Sequence, residues 1–127
     1  MGYAGHMPFE PDELELLADT EEIELETARP DGPPHRTIIW VVVDGDDTFI
    51  RSVNGPRARW YREATEEPAV TIHVDGRQLP ARAVPATDPA SVRRTSDVLA
   101  RKYANSPAMP SMLRPDTLDT TLRLEPA

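Results

Sequence analysis

A chain of 127 residues is long enough for one domain with a modest core and too short for two of ordinary size. With 22 acidic against 14 basic residues, a net charge of −8 and a pI near 4.8, it lacks the broad basic face of a nucleic-acid binder. It has no cysteine, which excludes disulfides, thiolate catalysis, zinc–thiolate sites and iron–sulfur clusters and fits a reducing cytoplasm.

No apolar run approaches the ~18 residues of a membrane span, and no basic-then-apolar leader opens the chain, so a cytoplasmic protein with no membrane segment is expected. Lys102 is the only lysine, which removes every other position from Schiff-base chemistry.

Residues 1–7 (MGYAGHM) show no periodicity and read as a disordered start or a cloning remnant ahead of Met7, leaving 8–127 as one domain. Pro11 followed by Asp12, Glu13, Leu14, Leu16 and Leu17 predicts a short helix with acidic residues at its positive end. From Glu21 to Thr27 the residues alternate. Ile23, Leu25 and Thr27 fall on one face and Glu22, Glu24 and Glu26 on the other, the period of a half-exposed strand.

After a Pro/Gly-punctuated loop, Ala28–Arg36, the run Thr37–Val43 (TIIWVVV) predicts a central strand covered on both faces. Asp44-Gly45-Asp46-Asp47 turns it back into a strand over Thr48–Val53. These aspartates lack the twelve-residue spacing and closing glutamate of a calcium loop, and no metal site is expected.

The next segment carries the chemistry. A strand ending at Arg51-Ser52-Val53 meets an Asn54-Gly55-Pro56 corner and a short helix bearing Arg57, Arg59, Trp60, Tyr61 and Arg62. Glycine allows close backbone approach, and helix-start N–H groups together with arginine forks favour an anion. The same arginines also read as a solvated helix face paired with Glu63, Glu66 and Glu67.

Ala69–Val74, the turn Asp75-Gly76 and Gln78–Pro85 form a second hairpin, with Pro80 and Pro85 suggesting an edge or a bulge. Asp88-Pro89 starts a helix over Ala90–Tyr103, its buried stripe drawn from Val92, Val98, Leu99 and Tyr103. A loop over Asn105–Pro115 precedes a last strand, Thr117–Leu124. The sum is a mainly β (α+β) architecture of six antiparallel strands and three short helices, and six such strands close into a small barrel.

Three segments then resemble the flavin-binding split barrels, the pyridoxamine-phosphate-oxidase-like superfamily, and within it the deazaflavin-dependent nitroreductase branch. Pro34-His35-Arg36-Thr37 leading into Ile38–Val43 is similar to the family's Gly-x-Pro-Arg-x-x-Pro approach to its second strand. Ser52-Val53-Asn54-Gly55-Pro56-Arg57 with Trp60-Tyr61 resembles that branch's phosphate-binding corner, with Val53-Asn54 where a lysine often sits. Glu67-Pro68 into Thr71–Val74, with Ala81-Arg82-Ala83, is similar to the paired strands that follow. Within the superfamily the likeness is to an uncharacterised group of small bacterial proteins.

The resemblance implies a six-stranded split barrel, a homodimer, and FMN or deazaflavin as cofactor in an oxidoreductase acting on a small molecule. It assigns the phosphate to Ser52, Asn54, Gly55, Arg57 and Arg59, the ring or ribityl chain to Arg36 and Thr37, and leaves Trp60 for stacking or packing. His35, beside Arg36, is the candidate proton donor, since imidazole titrates near neutrality. The alternative is a cofactor-free binding protein, isomerase or cyclase that clamps a small acid between Arg57 and Arg59.

Overall fold

The computed structural model describes residues 8–127. The reading of 1–7 lies outside them. Helix α1 (Pro11–Asp19) starts where expected, with Pro11 in its first turn and a reciprocal capping box between Glu10 and Glu13. Its one fully buried residue, Leu17, seals one end of the barrel core.

Seven strands, not six, form one antiparallel sheet among the described residues: β1 (Glu22–Thr27), β2 (His35–Trp40), β3 (Val42–Asp44), β4 (Asp47–Ile50), β5 (Ala69–Val74), β6 (Arg77–Pro85) and β7 (Leu122–Pro126). Their order is β2-β1-β5-β6-β7-β4-β3. The extra strand comes from the apolar run 37–43, which is not one central strand. It breaks at Val41 into β2 and β3, and these two pieces are the opposite edges of the sheet. One residue joining both edges forces the sheet to curl round on itself, and this gives the split barrel.

The break is held from a distance. Val41 leaves the ladder with its N–H and C=O buried, and such groups need partners. The Tyr103 hydroxyl bonds both, at 3.3 Å to the N–H and 3.2 Å to the carbonyl, and also reaches the Glu21 carbonyl at 2.7 Å. Lys102 Nζ donates to the Val41 carbonyl at 2.6 Å and to that of Leu17 at 3.3 Å. Trp40 stacks on Tyr103, ring centroids 3.9 Å apart. Burial lowers the Lys102 amine to about 8 and raises the Tyr103 phenol to about 12.

Inside the barrel, Ile23, Leu25, Val41, Ile50, Ile72 and Leu124 pack with Trp60 and Ala64 of α2 (Arg59–Glu66). Outside it, Val42 and Phe49 pack under α3 (Pro89–Lys102) against Val98, Leu99, Tyr103 and Met112. The α3 stripe is as expected except that Val92 is only half-buried. Asp88 caps α3 by accepting from the Ser91 N–H at 3.0 Å, and that bond holds its carboxyl below the usual range.

Two other expectations are corrected. Strand β6 lies inside the sheet, between β5 and β7, despite its prolines. Pro80 sits beyond the last β7 rung, where its carbonyl meets the N–H of Ala127, and Pro85 is the terminal rung opposite Leu122. At both ladder ends a missing N–H does little harm. The last strand begins at Leu122 rather than Thr117, because Pro115–Leu118 forms a one-turn helix, α4. Asp44 and Asp47, which flank the first hairpin turn, both pair with Arg94 of α3. Among the described residues no helix is long and apolar enough to cross a membrane.

Candidate functional site

Four consecutive residues of β2, Thr37 to Trp40, border one cavity of ≈ 280 Å³. A strand that contributes neighbours from both its faces offers its edge, and β2 is an edge strand paired, among the described residues, only with β1. The facing wall is the corner after β4, through Arg51, Val53 and Asn54, and Trp60 of α2. Ala108 and Met112 border the remaining side. Both tryptophans of the chain therefore line this space. Mostly apolar walls with a few convergent polar groups are the usual make-up of a small-molecule site.

The structure brings together three of the residues nominated from sequence, Thr37, Asn54 and Trp60. Arg59 joins them at the rim, donating to Thr37 Oγ1 at 3.0 Å while its Nε lies 3.8 Å from Glu63. Arg57 is exposed on the 3₁₀ turn Gly55–Arg57. Ser52 and Gly55 are buried behind the corner, where they build it. The Ser52 hydroxyl donates to the Gly55 carbonyl at 2.8 Å, and the Gly55 N–H returns to the Ser52 carbonyl at 2.9 Å. Gly55 has φ 76°, a conformation that favours glycine, and a Cβ there would also press on Asp116 Oδ2 at 2.9 Å, the tip of an exposed side chain.

Arg36 is not with this group. The strand period turns it to the outer face, 3.7 Å from both Glu24 and Glu26. On that same face His73 Nε2 lies 2.7 Å from Glu26.

His35 is apart from the cavity as well, at the head of β2 beside α2. Arginine only donates, so the 3.1 Å contact of Arg29 with His35 Nε2 makes that nitrogen the acceptor. The proton is then on Nδ1, which donates to Glu63 Oε2 at 2.8 Å. Thr27 donates to the other Glu63 oxygen at 2.7 Å. Burial alone would raise the Glu63 carboxyl, but the bonds from Thr27 and His35 and the nearby Arg59 charge lower it.

The residue that sequence reasoning misplaced is Arg51. Read there as the strand end that leads into an anion-binding corner, it is 2% exposed and borders the cavity from within. Its Nε donates to Thr121 Oγ1 at 2.8 Å, one terminal nitrogen to Ser96 Oγ at 2.9 Å and the Met112 carbonyl at 3.2 Å, and the other to the Val92 carbonyl at 2.7 Å. All four acceptors are neutral. Burial lowers its pKa to about 10. The apolar context Phe49-Ile50 before it was the available signal.

Among solved structures the fold recurs at low identity. HutZ, the heme storage protein from Vibrio cholerae, is similar at a TM-score of 0.63 and 18% identity over 95% of this chain and 92% of that one. A pyridoxamine 5′-phosphate oxidase-like protein from Listeria innocua gives 0.61 and 15% over 91% and 90%. An F420 reductase gives 0.54 and 21% over 89% and 91%. No curated protein matches the chain in sequence. A family model described as "Uncharacterized protein conserved in bacteria" (DUF2255) matches residues 13–124. With residues 13–124 matched, the chain belongs to this bacterial family, and its fold is the split barrel that those solved structures share.

Proposed function

We propose that the protein is a flavin- or deazaflavin-dependent oxidoreductase acting on a small molecule, with the cofactor ring in the cavity beside β2. The observation that carries this reading is the meeting of Thr37 with Asn54 and Trp60 around one apolar space. These residues come from the two segments that the family resemblance assigns to ring and phosphate. A bound flavin or deazaflavin would supply the hydride chemistry. The chain's residues would position it, Thr37 and Asn54 by hydrogen bonds and Trp60 by its ring, while Arg57 and Arg59 face a phosphate at the exposed end of the corner. Ser52 and Gly55 would act by shaping that corner, since the serine hydroxyl is engaged internally.

A volume of ≈ 280 Å³ falls just below the ~300–1,000 Å³ usual for ligand sites. One copy encloses a ring rather than a whole cofactor, and the space opens along the free β2 edge. We propose that a second copy closes it, making the working form a homodimer. A proton-donor role for His35 requires Arg29 to release Nε2; as folded, His35 steadies Glu63 and through it Arg59.

The test is tryptophan fluorescence, titrated with FMN, riboflavin, a deazaflavin and, because HutZ is a heme storage protein, hemin. Quenching by FMN or deazaflavin is expected, weakened by Thr37→Val and by Arg59→Ala. Loss of one charge-assisted phosphate contact corresponds to about 1.5–3 kcal/mol. Riboflavin binding as tightly as FMN would remove the phosphate site. Response to hemin alone would overturn the flavin reading, and response to small carboxylates alone would favour the cofactor-free acid-binding protein.

A further inference from the structure

Arg51 is a charge in an unusual position. It is buried, hydrogen-bonded only to hydroxyls and carbonyls, and carries no ion pair among the described residues. Removing an ion from water is costly unless an opposite charge compensates it, and an apolar side chain of similar volume often serves a fold as well or better. Among the described residues the one carboxylate bordering the same cavity, Glu22, is exposed on β1 and remains hydrated. The cavity thus has a positive charge buried in its wall and a hydrated negative charge at its rim. Four of the five guanidinium N–H groups have partners inside the protein, which fixes the side chain and leaves its charge facing a space bordered by Trp60, Ile39 and Met112.

We infer that Arg51 makes this cavity selective for a planar aromatic anion, with the negative charge on or directly beside the ring. This inference rests on the cavity proposed above as the ligand site, and it goes further by naming the charge of what enters. The walls supply flat apolar contact, and the guanidinium supplies long-range attraction that gains strength with the dryness of the site. Two sources would provide such a group: a ring that takes up two electrons and one proton from its reductant and is left anionic, or a substrate carrying a ring carboxylate.

The experiment is calorimetric titration of the intact chain with 2-naphthoate and with the neutral 2-naphthamide, which match in size. The acid is expected to bind about tenfold more tightly or better. Arg51→Met should abolish that preference and Arg51→Lys should keep most of it. Equal binding of acid and amide by the wild-type protein would overturn the inference, and that comparison needs no variant to fold. An unchanged preference in Arg51→Met would overturn it too. The flavin titration separates the two proposals. Flavin binding without acid preference removes the anion site alone, and acid preference without flavin binding removes the cofactor alone. If neither class of probe binds, both fall. A bound flavin's reduction potential, compared between wild type and Arg51→Met, reads the first source: the potential should drop in the variant when the reduced ring is the anion.

Discussion

Tyr103 shows how much one hydroxyl can decide. It accepts from the buried Val41 N–H and gives its one proton to the Glu21 carbonyl at 2.7 Å, with the Val41 carbonyl 3.2 Å away. Tyr103→Phe keeps the stacking on Trp40 but leaves a buried donor without a partner, a loss of about 1–3 kcal/mol. Denaturant unfolding measures it, and a change below about 0.5 kcal/mol would show that water substitutes freely.

Its neighbour Lys102 makes stability depend on pH with an opposite sign. The amine titrates near 8 when folded and at its ordinary 10.5 when unfolded, so between these values the unfolded chain binds more protons and stability rises with pH. Tyr103 is raised from 10.0 to about 12, so above pH 10 the unfolded chain loses its proton first and stability falls. Thermal midpoints should rise from pH 8 toward 10 and decline beyond. Lys102→Met should flatten the rising limb and leave the falling one.

Among the elements, the hairpins were legible and the break was not. Asp75 and Gly76, both with positive φ, form the turn that Asp-Gly announces, and the alternation of β1 is visible in its glutamates. Val41 bears no mark in the run TIIWVVV: neither glycine nor proline is present, because the partner that permits the break is 62 residues away. Arg51 was misread for a related reason. An arginine reads as surface until the helix carbonyl and threonine that receive it are in place. The family resemblance nominated Thr37, Asn54 and Trp60, and the fold sets all three on the border of one cavity.

The corner itself can be tested at this scale. Gly55→Ala combines a positive φ with an overlap on Asp116, whereas Gly76→Ala meets open space at a similar φ. The first should exceed the roughly 1–2 kcal/mol of left-handed strain, and the second should stay within it. Equal losses in equilibrium unfolding would show that Asp116 swings aside.

For the whole molecule, exposed apolar area gathers near the cavity. Ile38 is 61% and Val53 38% exposed, both on its border, and Leu113, also 38%, follows Met112. Exposed apolar side chains beside a strand edge that no other described strand pairs are suited to self-association. Sedimentation equilibrium is expected to show a dimer at micromolar concentration, with Ile38→Asp shifting it to monomer at nearly unchanged thermal midpoint. A monomeric wild type would leave the cavity open on one side and remove the homodimer.

Because a single peptide unit at Val41 bridges the two margins of the sheet, the margins have no slack between them. Anything that moves β2 outward must also strain β3, its hairpin and the Arg94 contacts below it. The Val41 amide is therefore a built-in gauge of breathing, since its hydrogen is held by a side chain rather than by a neighbouring strand. Its exchange with deuterated solvent should report parting of the barrel seam ahead of the flanking amides, and should slow when the cavity is filled.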